Sequence, residues 1–424
     1  MNTRVVITGL GIIAPNASGV ADFRDALQEG RSGIRHDAAL EALQFSCQIA
    51  GTPVVTAEMQ SRYFDALELK GFNSSAILYG VLAGMEAWQR AGLTAAVNTD
   101  WDSGCIFGTG SSGVDKLREA IYKVDEGQLR RLGSTVVAQT MASGISAWLG
   151  GKLGLGNQVT TNSSACITGA ESLLMAYDRI RAGKATRILA GSTSDSGPYI
   201  WGGFDAMKVC TFKSNDNPAA GSRPMSATAA GFVPGAGAGA FVVESLDSAL
   251  ARNAPVCAEI LGGHINSGGQ RNDGTMTAPN SEAVQRCIRE AVREAGISPS
   301  DIDAINGHLT ATGKDALEIQ NWSAALGRSG TDFPYISALK GMTGHCLSAS
   351  GSVELVAAVL QLQHGFLFPN INCEDLHPDI RAVVDPERIP QQLRYKDLQV
   401  IAKASFGFGD VNACVILKKY HANG

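Results

Sequence analysis

The sequence predicts an α/β protein with largely buried strands, and three observations carry that reading. Short β-branched runs alternate with segments of helical periodicity along the chain. The alternation restarts after residues 245–253, so two halves of comparable pattern follow one another. The 49 glycines among 424 residues are dispersed at element ends beside Ala and Ser, which predicts tight backbone packing and many sharp turns.

The elements follow in order. RVVITGLG (4–11) reads as a strand and turn, and an amphipathic helix is predicted from about Ser74 to Ala91. SGCIFGTG (103–110) is the next strand. After Cys166, apolar residues at Ala170, Leu173, Leu174, Tyr177 and Ile180 keep helical spacing, and Gly183 is a plausible stop. TRILAGS (186–192) and GAFVVESL (239–246) complete the first half. The second half opens with VCAEILGGHINS (256–267), followed by the helix SEAVQRCIREAVREAGIS (281–298) with its Gly stop. IDAINGH (302–308) and FPYISAL (333–339) are further strands, GSVELVAAVLQLQHG (351–365) is a helix, and QVIAKASFGFGDVNACVILKK (399–419) is a closing hairpin pair.

Composition excludes several classes. With 45% hydrophobic and 18% charged residues the chain can bury a large core, and no linker separates its halves. A net charge of −5 without runs of like charge argues against nucleic acid as a partner. The nine cysteines stand singly, with no CxxC pair and no His at ligand spacing, which argues for a reducing compartment and against a metal site. The opening MNTRVVITGLGIIAPN superficially resembles a signal peptide, yet its glycines and β-branched residues fit a buried strand better. Glu86 and Arg90 interrupt AILYGVLAGMEAWQRAGL, so no membrane span is expected and the protein reads as cytoplasmic.

TTNSSACITGAES (160–172) places one thiol, Cys166, at or within the first turn of a helix. The N–H groups and dipole there favour a thiolate, so the ordinary thiol pKa of about 8.5 is expected to fall by about a unit or more. The bland alternative is a small buried cysteine in a snug turn. INGHLTATGKD places His308 just after a strand. ISALKGMTGHCLSASGSVE places Lys340 and His345 at another strand-to-helix turn, with Glu354 on the following helix. Three such sites at strand ends, where α/β folds gather ligands, point to a site.

SSACITG, GHLTAT, KGMTGH through Glu354, and SFGFGDVNA together resemble the ordered signatures of the elongating β-ketoacyl-acyl-carrier-protein synthases of fatty-acid and type II polyketide assembly. VVITGLGIIAPN, NDNPAAGSRP, GFVPGAGAGAFVVE and MTAPN fall in the expected order, so the resemblance covers essentially the whole chain. It implies a thiolase-like fold of duplicated α/β halves in a layered α-β-α-β-α arrangement. Residues 1–250 would carry the nucleophilic cysteine and residues 251–424 both catalytic histidines. The implied reaction is a decarboxylative Claisen condensation of an enzyme-bound acyl thioester with malonyl carrier protein. Cys166 would take the acyl group, His308 and His345 would meet the enolate oxygen, and Lys340 and Glu354 would orient the histidines. The backbone N–H groups of Cys166 and Phe408 would form the oxyanion hole, with Phe408 gating the acyl pocket. Thr277 and Thr310 would touch the phosphopantetheine arm, and Arg130, Arg131, Lys208 and Lys213 would meet an acidic carrier protein. No bound cofactor or metal is implied. A dimer is expected, with an identical or a paralogous ketosynthase-like partner.

The match has departures. Ser226, Ala229, Ala230 and Ala236 stand where the family usually has charged residues. The loop after His308 looks one residue shorter than usual, and Asp410 replaces a usual Gly. These departures suggest a specialised fatty-acid, polyene or polyketide pathway. Three rival readings stay open: a chain-length-factor-like subunit of a heterodimeric synthase, a thiolase-like enzyme, and a non-catalytic acyl-binding scaffold. The presence of Cys166 with both histidines argues against the first. Val and Ile follow Cys414 in place of the thiolase Cys-x-Gly motif, which argues against the second.

Overall fold

The computed structural model describes residues 3–422. One mixed sheet holds β1 (Val5–Ala14), β2 (Ser103–Thr109), β3 (Val159–Thr160), β4 (Arg187–Ser194), β5 (Gly237–Ser245), β6 (Ala258–Ser267), β7 (Ala304–Asn306), β8 (Tyr335–Ser337), β9 (Val400–Gly407) and β10 (Val411–Lys418). Their spatial order is β8-β7-β9-β10-β6-β1-β5-β4-β2-β3. The order is the same read outward from either side of the β6–β1 junction. In each direction two antiparallel neighbours are followed by strands in parallel register. The halves join where Val5–Ile7 pair with Ala258–Ile260.

Five helices fix the layers: α1 (Ser75–Arg90), α2 (Thr168–Arg181), α3 (Ser281–Ala295), α4 (Asp315–Leu326) and α5 (Ser350–His364). Helices α2 and α5 pack on each other and on strands of both halves, while α1 covers β1, β4 and β5 from outside and α3 covers β6 and β10. The result is a five-layer stack with α2 and α5 at its centre, and almost every residue of α5 is buried. A helix buried all round must be apolar all round, as VELVAAVLQL is. Glu354 and Gln361 are the polar exceptions, and the position of Glu354 matters below.

The sequence reading places α1 within one residue at each end, from the Ser74 cap that accepts the N–H of Ile77 to Arg90. Glu86, whose charge interrupts that apolar run, accepts the backbone N–H groups of Ile12 and Val20 at 3.0 and 2.8 Å. No helix among the described residues is long and apolar enough to cross a membrane.

Candidate active site

Cys166 lies in a one-turn 3-10 segment, Ala165–Ile167, that runs directly into α2, so it sits in the first helical turn as the sequence suggested. Ala165 holds a left-handed φ of 48°, which bends the chain sharply and presents the thiol. The Thr168 hydroxyl accepts the N–H of Ser164 at 3.0 Å and donates to the carbonyl of Ala165 at 2.6 Å, locking the bend. The expected fall in the thiol pKa is overturned. Burial pushes Cys166 up to about 11, against the opposing pull of the Lys340 charge and the backbone N–H groups of Phe408 and Cys166. The helix-start argument was right about those amides and omitted the loss of water, which is larger.

The second half repeats the construction. Leu347–Ala349 form a 3-10 turn before α5, and Leu347 has φ 50°. His345 lies just ahead of it. Its Nδ1 accepts the N–H of Leu347 at 2.9 Å and lies 3.0 Å from the Ser350 hydroxyl. A backbone amide can only donate, so the ring proton of neutral His345 is on Nε2. Here the sequence reading is corrected, because Leu347 and Ser350 orient this ring, whereas of the two histidines the Lys340 ammonium contacts only His308. Lys340 donates to the carbonyl of His308 at 2.5 Å and lies 3.4 Å from its Nδ1, which likewise leaves the proton on Nε2. The two rings stand edge to face with centroids 5.4 Å apart. Burial, and then the Lys340 charge, holds both imidazoles well below the usual histidine range, so both are neutral.

Lys340 is ion-paired to Glu354 deep in the protein, and Lys403 of β9 reaches the other carboxylate oxygen of Glu354 at 2.8 Å. Glu318 of α4 accepts the N–H groups of His308 and Leu309 at 2.7 and 2.8 Å, and burial raises its carboxyl to about 7. Asp315 accepts the N–H groups of Thr310, Ala311 and Met225, closing the short loop after His308, and burial raises it to about 6. Sequence reasoning missed Lys403, Glu318, Asp315 and Ser350. A lysine inside the otherwise apolar run VIAKASF was the available signal for the first.

Two cavities, of about 210 and 260 Å³, meet at Cys166 and Phe408. The first is lined by His308, His345, Thr277 and Thr310, and the second by Tyr199, Phe204, Ser111 and Leu347. Phe408, whose ring lies 6.0 Å from that of Phe204, stands between them. Asp410 is fully buried with φ 61°, and its carboxylate accepts the N–H groups of Gln270 and Asn280 at 2.9 and 2.8 Å. The Gly409 N–H donates to the carbonyl of Met276 at 2.8 Å. The segment after Phe408 is thereby tied to the loop that carries Thr277. The four predicted surface cations do not share one hollow: Arg130 and Arg131 border one, Lys208 borders another near Phe212, and Lys213 is exposed on the chain just beyond it.

The Cys166 sulfur and a ring nitrogen of each histidine lie within 4.8 Å of one another, a donor set that zinc accepts. The hydrogen bonds at both Nδ1 atoms place protons on the Nε2 atoms, so the trio is arranged as donors around a thiol, not as ligands. It suits chemistry in which negative charge develops on an oxygen held above the sulfur.

Comparison with known proteins gives the same picture. Residues 2–249 match the family model "Beta-ketoacyl synthase, N-terminal domain", and residues 257–374 match "Beta-ketoacyl synthase, C-terminal domain". The chain is 32% identical over 421 residues to 3-oxoacyl-[acyl-carrier-protein] synthase 1 of Escherichia coli strain K12, covering 98% of this chain and 99% of that protein. Among solved structures it resembles the ishigamide ketosynthase/chain length factor (TM-score 0.88, 27% identity), covering 99% of this chain and 100% of that one. At the same coverage it resembles a type II polyketide ketosynthase bound to a hexaketide and its acyl-carrier protein (TM-score 0.87, 26% identity).

Proposed function

This chain belongs to the beta-ketoacyl synthase family, and on that premise we propose that it is a β-ketoacyl-acyl-carrier-protein synthase that extends an acyl chain by two carbons. Its fold is thiolase-like. The observation that carries the proposal is a thiol flanked by two Nε2–H donors at the junction of two cavities.

In the first half-reaction the Cys166 sulfur attacks the carbonyl of an acyl thioester held on the phosphopantetheine arm of a carrier protein. The arm's thiol leaves carrying the proton given up by Cys166. The N–H groups of Cys166 and Phe408 stabilise the oxyanion, and the acyl chain lies in the cavity beyond Phe408. Malonyl carrier protein then loses CO2. The enolate oxygen is met by the Nε2–H groups of His308 and His345, its carbon attacks the acyl carbonyl, and Cys166 leaves as a thiolate that takes one proton from water to restore the thiol. Each step uses the chain's own groups, so no resident cofactor is assigned, and the substrates bring only the carrier-bound arm. Glu354 and Lys340 position His308, while Thr277 and Thr310 line the path of the arm.

The two halves, 1–250 and 251–424, contribute the thiol and the histidines respectively. The partners assigned are an acidic carrier protein, docking on Arg130, Arg131, Lys208 and Lys213, and a second ketosynthase-like subunit, identical or paralogous. The protein works in the cytoplasm. Asp410, Ser226 and the short loop after His308 support a specialised fatty-acid, polyene or polyketide pathway over bulk lipid synthesis.

The test is intact-protein mass spectrometry after incubation with a panel of acyl carrier proteins and then malonyl carrier protein. An acyl adduct on the wild type, absent from Cys166→Ala and chased to a two-carbon-longer β-keto product, is the expected result. No adduct from any donor, even with a partner subunit present, would return Cys166 to a structural cysteine and leave an acyl-binding scaffold as the reading. Faster acylation by unsaturated or aromatic chains is expected, and equal rates with saturated chains would sink the specialised-pathway assignment.

A further inference from the structure

Glu354 is shared by two lysines. Lys340 and Lys403 are 2% and 0% exposed, Glu354 is 2% exposed, and both ammonium groups contact its carboxylate. Lys403 completes its hydrogen bonding at the Ser405 hydroxyl, 2.9 Å away, and at the carbonyl of Ala404. One carboxylate between two ammonium ions leaves a buried cluster with one positive charge in excess.

Each lysine takes one carboxylate oxygen, Lys340 Oε1 and Lys403 Oε2. Even so, a second buried ion costs desolvation that a well-packed apolar side chain would avoid, and that loss of water holds the Lys403 ammonium below the usual lysine range. The groups facing the cluster are Glu318 of α4, His308 after β7, His345 and Cys346 before α5, Cys166 of the elbow, and Cys414 of β10. Of these only Glu318 can supply compensating negative charge, and burial holds its carboxyl near 7.

We propose that Lys403 is a positioning residue for the condensation: as the second cation on Glu354 it supplies a fixed positive charge beneath His308 and His345 that keeps both rings neutral. Neutral rings carry one proton each, on Nε2, since the Nδ1 atoms face the Lys340 ammonium and the Leu347 N–H. Two imidazolium ions there would repel each other and Lys340. The charge also favours the negative oxygen of an enolate held above the rings. Burial is the largest downward pressure on the histidines, and the Lys340 and Lys403 charges add to it for both rings.

The inference rests on the condensing reading for its kinetic arm only. The test uses the full chain with ¹³C-labelled histidine and compares the wild type with Lys403→Met and Lys403→Arg. Ring signals are followed by NMR from pH 5 to 8, and in parallel the pH profile of malonyl carrier protein decarboxylation is recorded. In the wild type the His308 and His345 signals, assigned with single His→Asn variants, are expected not to titrate near 6.5. In Lys403→Met their midpoints are expected to move up by about one pH unit or more, the direction set by removing a nearby cation. The acid limb of decarboxylation should move up with them, and Lys403→Arg should leave both in place. If Lys403→Met does not fold, Lys403→Gln takes its place, with the same expectation. Wild-type rings that titrate near 6.5, or rings in the neutral variant that titrate where the wild type's do, would overturn the proposal. Shifted rings in a protein that never decarboxylates would leave Lys403 its electrostatic role and sink the condensing reading instead.

Discussion

At Cys166 two effects oppose each other. Two backbone amides and Lys340 favour the thiolate, loss of water disfavours it, and water wins, with the thiol at about 11. The sulfur is therefore protonated at neutral pH and becomes a nucleophile only as its proton departs with the leaving thiol. Alkylation of Cys166 by iodoacetamide, read by peptide mass spectrometry, should thus rise about tenfold per pH unit from 7 to 10 with no plateau. A plateau below pH 9 would mean a thiol of ordinary or lowered pKa. The spacing of Cys166, His308, Lys340 and His345 was legible in the chain because each follows a recognisable strand-to-helix break. Glu318 and Lys403 were not, since a glutamate on a helix and one lysine in a strand acquire meaning only from what surrounds them. The ionisation state of the thiol was equally invisible, because desolvation depends on every element that closes over the sulfur.

At the scale of elements, the site rests on two similar elbows and one hub. The elbows at Ala165 and Leu347 each place a left-handed residue one turn before a central helix, so thiol and imidazole arrive at the same end of α2 and α5. The hub is Asp410. Asp410→Gly relieves a left-handed φ at a non-glycine residue but leaves the buried N–H of Asn280 and the N–H of Gln270 without their acceptor. Two lost acceptors at about 1–3 kcal/mol each outweigh the relief, which is at the low end of about 1–3 kcal/mol because Asp tolerates the left-handed region, so the variant should be less stable. Hydrogen exchange should rise selectively across residues 268–280, with β9 and β10 protected as before. Unchanged exchange in that loop would show that Asp410 does not hold it. The sequence reading registered Asp410 only as an unusual residue in SFGFGD. Its partners lie some 130–140 positions earlier, beyond any local pattern.

At the scale of the molecule, the two halves meet where α2 and α5 cross. A Cβ at Gly169 would lie 2.3 Å from the Ser352 N, and one at Gly351 would lie 2.9 Å from the Ala170 N. Backbone atoms cannot swing aside as a side chain can, so Gly169→Ala must push the central helices apart. Overpacking of this kind costs about 1–3 kcal/mol. Because both halves lean on that crossing, tryptophan fluorescence and circular dichroism should report one transition at a lower Tm. Two transitions, one of them at the wild-type Tm, would show that the halves unfold independently. By itself the sequence determined the α/β class, the order of the principal strands and helices and the repeat of their pattern, because periodicity and turn chemistry are local. Only the tertiary structure decided the charge state of the thiol, the tautomers of the histidines and the sharing of Glu354 by two lysines. Those depend on burial and on contacts between segments far apart in the chain, which no local pattern encodes.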